Sequence, residues 1–373
     1  MNSYVQNPFN ISSKQLLETA IDNNNIPLGY TCNNVPRILL NIGKLFPYRV
    51  NAIDLTGGTE MADIYLSQVT CTYTRSILDY AMDDQLEFLQ GWIFAAGCDH
   101  IRRLYDNLKY LLAPSFCHIL DVPHKSGSDA ISWFSQELQA LSMSISDHFQ
   151  VDMSIWNINQ AISEHNSLMQ SLQKISNYRQ NASPPFTGAE FHRLMHAAWT
   201  LPGQLMAPIV ENIKKQLPER TCPVDYKARV LLVSSVVDQY EWIEAIENNG
   251  ALVVADRFCS GAIPQIEICK HTDDPFYDIA AHLLHTNACP RMMDTFDNRM
   301  ELINQTIVNY HADGVIIAPI KFCDIWGVET SQVVSYLKEK KIPVLRLERD
   351  YCFSGEGQLS TRVQAFIEQI LQQ

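Results

Sequence analysis

Cysteine is the residue type in this 373-residue chain best suited to chemistry, with copies at positions 32, 71, 98, 117, 222, 259, 269, 289, 323 and 352. No CxxC pair occurs among them, so zinc ribbons, thioredoxin-type redox pairs and bacterial ferredoxin runs have no support. A disulfide framework is not expected of a long chain without a leader in a reducing compartment. Free cysteine is most often a small buried hydrophobe, and most of the ten are expected to be that. Any metal site must therefore gather ligands that are far apart in sequence. Three cysteines stand where it would form. Cys98 and Cys323 each follow a Gly-led apolar run and precede an aspartate, Asp99 and Asp324, and Cys71 sits in Val69-Thr70-Cys71-Thr72 just ahead of a helix-patterned stretch. A thiol there meets the positive end of the helix dipole, which lowers its pKa and favours the thiolate that binds metal. The aspartates can cap those helices or orient the sulfur's neighbours. Taken singly, each thiol is also explained by core packing, and pattern alone leaves both readings open.

Other constellations are weaker. His282, His285 and Cys289 fall near one helical face without a carboxylate, and helix packing explains them more simply. His192 and His196 are spaced i, i+4, but Arg193-Leu194-Met195 between them holds no Glu for a zinc hydrolase. The amides of Gly355-Glu356-Gly357, ahead of the last helix, can meet a phosphate, although two glycines also make an ordinary turn. The chain contains no GxxxxGK[ST], no full GxGxxG and no GxSxG, so ATP hydrolysis is not expected of it.

The elements that must position these residues repeat a plan. Four segments read as strand, crest loop, helix and returning strand. The first runs from Gly29–Cys32 through a helix at 37–43 ended by Gly43 and returns at 47–53; the second runs from 91–95 over Gly97-Cys98-Asp99 and returns at 118–123. The third runs from 229–233 over Ser234-Ser235 and returns at 251–256; the fourth runs from 314–319 over Phe322-Cys323-Asp324 and returns at 342–348. Apolar runs alternating with amphipathic helices predict parallel sheets with helices on both faces. The fold class is α/β: two flavodoxin-like parallel-sheet domains of similar plan, 1–125 and 223–373, joined by a helical connector at 126–222. Within the connector, Asp152 or Ser154 and Thr187 are the predicted helix starts.

Composition sets the outer limits. With 46% hydrophobic residues the chain can fill more than one core, and 28 basic against 41 acidic residues leave a net charge of −13. That balance argues against nucleic acid or an anionic membrane as the main partner. The opening MNSYVQNPFN lacks a secretory pattern and no apolar run is long enough to span a bilayer, so a cytoplasmic protein is expected.

Several motifs together resemble the 2-hydroxyacyl-CoA dehydratase and benzoyl-CoA reductase family. They are Thr70-Cys71-Thr72-Tyr73-Thr74-Arg75, Gly97-Cys98-Asp99 with Arg102-Arg103, Ala312-Asp313-Gly314-Val315, Lys321-Phe322-Cys323-Asp324, Gly357-Gln358 and the stretch from Thr361-Arg362 to Phe366-Ile367-Glu368. Residues 253–261 and Cys289-Pro290 are similar as well, and the likeness runs from Gly29 to the end. One departure is Arg37, where the family commonly has Glu close after the proline. The resemblance implies an oxygen-sensitive [4Fe–4S] cluster on Cys71, Cys98 and Cys323, leaving one iron without a protein ligand. It further implies that one electron passes to the thioester carbonyl of a 2-hydroxyacyl-CoA, that the neighbouring hydroxyl leaves from the ketyl radical, and that the electron then returns. In the reductase branch electrons stay in an aromatic acyl-CoA ring. Both branches imply a related second subunit, in a heterodimer, and a separate ATP-hydrolysing iron–sulfur activator. The dehydratase is the leading expectation; the aromatic reductase and a non-catalytic electron-relay subunit are the alternatives. Arg75, Arg102 and Arg103 are read either as a solvated helix face or as contacts for CoA phosphates or the activator. Thr361-Arg362 is expected to cap and anchor the last helix. Tyr73 and Trp326 can shield a cluster from water or simply pack. Glu60, His100 or a substrate-derived group can accept the proton in a dehydration, and the catalytic residues, the acyl-CoA and the substrate-binding subunit remain open.

Overall fold

The structure is a computed structural model that describes residues 7–55, 57–286 and 288–372. The first six residues, on which the reading of the N-terminus partly rests, lie outside it. In chain order the elements are α1 (Ser13–Asp22), β1 (Ile26–Tyr30), β2 (Leu45–Arg49), α2 (Thr72–Met82), β3 (Gly91–Ala95), α3 (Asp99–Leu111) and β4 (Cys117–Leu120). Four helices follow: α4 (Ser128–Phe149), α5 (Ile155–Asn177), α6 (Gly188–Thr200) and α7 (Gly203–Gln216). The remainder is β5 (Ala228–Val233), α8 (Tyr240–Glu247), β6 (Ala251–Arg257), α9 (Pro275–His285), α10 (Phe296–Asn309), β7 (Gly314–Ile317), α11 (Asp324–Glu339), β8 (Val344–Arg346) and α12 (Glu356–Leu371).

Two four-stranded sheets result, ordered β2-β1-β3-β4 and β6-β5-β7-β8, and every pairing is parallel. The two orders are the same when each sheet is numbered from its own first strand, and they follow the flavodoxin-like rule. Strands β3, β5 and β6 are buried at every position, as continuous apolar runs covered on both faces must be. Alternate residues supply the two faces. Tyr30, Ile93 and Ala95 pack in one cluster with Leu138 of α4 and Ile279 of α9, whereas Trp92 and Phe94 pack in another with Ile77 of α2 and Leu104 of α3. In the second sheet Val230 and Leu232 meet α8 and α12, and Leu231 and Val233 meet α10 and α11. A further core joins Phe9 to α5, α6 and α7.

The helix starts fall where expected. Ser154 precedes α5, and Thr187 opens α6 with a capping box, its Oγ1 accepting from Glu190 N at 3.1 Å while Glu190 Oε2 accepts from Thr187 N at 3.0 Å. The helix expected at 37–43 does not form. Leu39 N bonds Pro36 O at 2.9 Å and Leu40 N bonds Arg37 O at 3.2 Å, so the segment is a chain of tight turns. Ile38, Leu39, Leu40 and Ile42 are all buried, which leaves no solvent face for an amphipathic helix. Gly43 does mark the end of the segment, with a φ of 67°. Among the described residues no helix is long and apolar enough to cross a membrane.

Candidate functional site

Open parallel sheets bind ligands beyond the carboxyl ends of their strands, at the point where strand order reverses. That point lies between β1 and β3 in one sheet and between β5 and β7 in the other. The loops leaving these four strands enclose a single cavity of about 100 Å³, whose wall includes Thr31, Gly97, Ser235 and Ile320. The crests are held together by polar contacts between the two halves. Tyr351 N donates to Thr72 Oγ1 at 2.7 Å, and Tyr351 Oη accepts from Ala52 N at 3.0 Å while donating to Asp238 Oδ2 at 2.7 Å. Arg291 donates to Pro123 O at 2.7 Å and Ala96 O at 3.3 Å.

All three cysteines singled out from the sequence line this cavity, and each is the residue immediately before a helix: Cys71 before α2, Cys98 before α3 and Cys323 before α11. Phe322 takes a left-handed φ of 60°, a conformation that disfavours side chains, and so turns the chain sharply into Cys323. The sequence reading missed three more thiols. Cys32, Cys259 and Cys289 line the same cavity. Cys32 follows β1 as closely as Cys98 follows β3, and a Cβ built on Gly97 would lie 3.6 Å from its sulfur. Its crest position was a usable signal, as was the family-like sequence around Cys259 and Cys289. Cys117 and Cys222 do not line the cavity.

The helix dipole does not lower these thiols. Burial pushes Cys98 up to about 12 and also raises Cys71 and Cys323, outweighing the helix N-termini. Neighbouring thiols add to the rise: Cys71 and Cys32 act on Cys98, and Cys71, Cys98 and Cys289 act on Cys323. Around them stand three buried guanidinium groups. Arg49 is close enough to Cys259 for their charges to interact, Arg257 to Cys289, and Arg291 to both Cys32 and Cys289. None of the three is in an ion pair among the described residues, and each leaves its Nε without a hydrogen-bond partner. Among the described residues no carboxylate lines the cavity. Carboxylates act on the three guanidinium groups without pairing, Asp238 on Arg49, Glu329 on Arg257 and Asp121 on Arg291, and positive charge buried in this way suits a site meant to hold negative charge. Among the described residues no three His, Cys, Asp or Glu side chains are grouped to hold a metal ion, so the thiols surround a space rather than a single point.

The remaining expected residues find definite places. His100 Nδ1 accepts from Cys71 N at 3.3 Å, which leaves the ring proton on Nε2, 3.5 Å from Asp324 Oδ2. His100 thus ties Cys71 to the residue after Cys323. Glu60 is exposed and does not line the cavity. Tyr73 and Trp326 do line it, each buried. Arg75 is neither a solvated face nor free for a ligand, since it binds Asp63 Oδ1 at 2.7 Å and Thr59 Oγ1 at 3.0 Å. Arg102 and Arg103 are exposed on α3, and Arg103 pairs with Asp106. Gly355 precedes α12, so Thr361 does not cap it; Thr361 instead bonds Gly357 O within the helix at 3.1 Å, while Arg362 anchors the helix to Arg346 O at 2.6 Å. The Gly355 loop borders a separate recess whose cations are engaged, Lys321 with Asp350 at 3.1 Å and Arg362 as above. His192, His196, His282 and His285 form no metal group.

Residues 32–370 match the family model described as 2-hydroxyglutaryl-CoA dehydratase, D-component. The putative dehydratase subunit YjiM of Escherichia coli (strain K12) is 24% identical over 324 residues, covering 83% of each chain. A benzoyl-CoA reductase subunit of Thauera aromatica is 20% identical over 326 residues, 83% of this chain and 82% of its own. The (R)-phenyllactyl-CoA dehydratase beta subunit of Clostridium sporogenes is 20% identical over 315 residues, 82% of each.

Proposed function

The chain belongs to the 2-hydroxyglutaryl-CoA dehydratase D-component family, and from that membership we propose that it is the iron–sulfur subunit of a 2-hydroxyacyl-CoA dehydratase. Its relatives are dehydratase and benzoyl-CoA reductase subunits, which makes it an enzyme subunit of that kind. The reaction removes water from a 2-hydroxyacyl-CoA to leave the 2-enoyl-CoA, within a heterodimer with a related chain. A separate ATP-hydrolysing iron–sulfur activator provides the initiating electron.

The observation that carries this reading is the cavity between the crests, walled among the described residues by six thiols and no carboxylate. Cys71, Cys98 and Cys323 are the ligands of a [4Fe–4S] cluster, and Cys32, Cys259 and Cys289 are as many thiols again, enough for a second set of three. When bound, the cluster supplies a low-potential electron to the acyl thioester. The protein's own groups prepare for it. Three helix N-termini and the guanidinium groups of Arg49, Arg257 and Arg291 offset thiolate charge that burial alone opposes. Tyr73, Ile101 and Trp326 keep water from the cavity, and His100 fixes the Cys71 amide against α11. Neither side chain considered as a proton acceptor is placed for that task here: Glu60 is exposed and off the cavity wall, and the His100 ring is engaged at both nitrogens.

A second reading, an electron-relay subunit with substrate on its sister chain, is favoured by one observation. The cavity of about 100 Å³ is well below the roughly 300–1,000 Å³ of pockets that enclose organic ligands. The test is iron and acid-labile sulfide content with electron paramagnetic resonance after reduction, on protein purified without oxygen, alone and with its co-expressed neighbour. About four irons per chain fit the first three cysteines alone, and about eight fit both sets. A folded, oxygen-protected chain without iron refutes the assignment. Acyl-CoA binding by the chain alone supports the catalytic reading, and binding only in the co-expressed complex supports the relay.

A further inference from the structure

A second cavity, of about 330 Å³, lies between the turn at Arg37, the edge strand β2 and helices α5, α6 and α7, and it shares no wall residue with the cavity of thiols. Its size falls within the range that encloses small organic molecules. Ile38, Leu168, Met169, Leu201 and Val210 make its wall largely apolar. Two polar groups converge on it. The Arg37 guanidinium lies over the Trp199 ring, 3.7 Å from the centroid; it donates to Gln265 O at 3.5 Å and meets the Tyr30 hydroxyl, neither of them a carboxylate. It takes part in no ion pair among the described residues. Beside it is His165, whose Nε2 is buried and has no hydrogen-bond partner. Burial and the neighbouring Arg37 charge hold the His165 ring in its neutral form.

The two carboxylates at the cavity wall do not serve as the missing counterion. Glu164 accepts from Gln160 Nε2 at 3.1 Å, and Glu211 pairs with Lys214 Nζ at 2.6 Å. A half-buried guanidinium with no carboxylate partner among the described residues, beside a neutral imidazole donor and an apolar wall, is a receptor for one planar anionic head on a hydrocarbon body. A phosphate dianion would need more donors than these two and would gain nothing from the apolar wall. We propose that this cavity is a binding site for a small monocarboxylate, its carboxylate held by Arg37 and His165 Nε2–H and its apolar body against Leu168, Met169 and Val210.

The test is isothermal titration calorimetry on the full-length protein, purified without oxygen, with benzoate and 3-methylbutanoate as probes and their primary amides as neutral counterparts. Both carboxylates are expected to bind at a single site, and both amides at least about tenfold more weakly. Arg37→Gln is expected to weaken carboxylate binding roughly ten- to a hundredfold, since it removes a charge-assisted contact. Ala207→Phe, at an exposed wall position, fills the cavity and should abolish binding while leaving Arg37 in place. Melting temperatures of both variants close to the parent's show that the fold is retained. No saturable binding of either carboxylate up to about 10 mM overturns the proposal, as does unchanged affinity in Arg37→Gln or in a folded Ala207→Phe. Iron content does not enter the readout, so the result is separate from that for the cluster.

Discussion

Glu247 makes a pH dependence that can be worked from the structure. It ends α8, and its buried carboxylate accepts from Gly188 N at 2.6 Å and Ala189 N at 3.1 Å in the first turn of α6, and from Val253 N of β6 at 3.1 Å. Burial outweighs these amides and pushes the carboxyl up to about 7 from its ordinary 4.5. The folded chain therefore keeps a proton that the unfolded chain has released across that window. Its stabilising effect is fully present below pH 4.5 and is lost as pH rises through about 7. At about 1.4 kcal/mol per pH unit the full loss is about 3 kcal/mol. Glu247→Gln imitates the protonated carboxyl and does not titrate, so the difference between the two proteins isolates this group from every other. Urea denaturation of both, at constant ionic strength from about pH 5 to about pH 8, should show the parent losing about 2–3 kcal/mol relative to the variant. A flat difference, or a parent that gains on the variant as pH rises, would refute the reasoning. It would mean that the amides at the start of α6 outweigh burial and hold the carboxylate ionised throughout.

Iron retention should separate the cysteines: Cys98→Ser and Cys323→Ser lose it, whereas Cys117→Ser and Cys222→Ser, off the cavity wall, keep it. Equal loss in all four would point to general misfolding. Arg179→Met removes one partner of the buried pair with Asp256 and the hydrogen bond to Ser176 Oγ at 2.9 Å, and should cost about 3–5 kcal/mol in urea melts. Lys321→Met, in the exposed pair with Asp350, should cost under about 1 kcal/mol. A Cβ at Gly188 would lie 2.6 Å from Val253 Cβ and from its carbonyl oxygen, so Gly188→Ala should lower the melting point by the equivalent of about 1–3 kcal/mol or more. Gly327→Ala, in α11 with open space around it, should instead gain about 0.5–1 kcal/mol.

Much of the fold was legible because its signals are local. The runs at 91–95 and 230–233 are apolar throughout, so they had to be strands covered on both faces, and the loops after them had to form a crest. Thr187, three residues before Glu190, announced the start of α6. The segment at 37–43 misled for the opposite reason: its apolar residues have a helical look, yet all are taken up by the core, and their neighbours in space decide the backbone. Helix α9 is a second case. Its pattern predicts a helix, but nothing in it says that Ile279 and Leu284 pack against the first sheet, far away in sequence.

The candidate site divides along the same line. The sequence by itself determined that Cys71, Cys98 and Cys323 stand at the mouths of helices, because a strand end, a turn residue and an amphipathic repeat are all read within about a dozen residues. It could not show that Cys32, Cys259 and Cys289 share their cavity, nor that Arg49, Arg257 and Arg291 lie buried near these thiols, in no ion pair among the described residues. Nor could it show that burial raises thiols that a helix dipole alone would lower. Only the tertiary structure decided these. Burial and charge pairing depend on distances between residues from both sheets, and those distances exist only once the two crests have closed on each other.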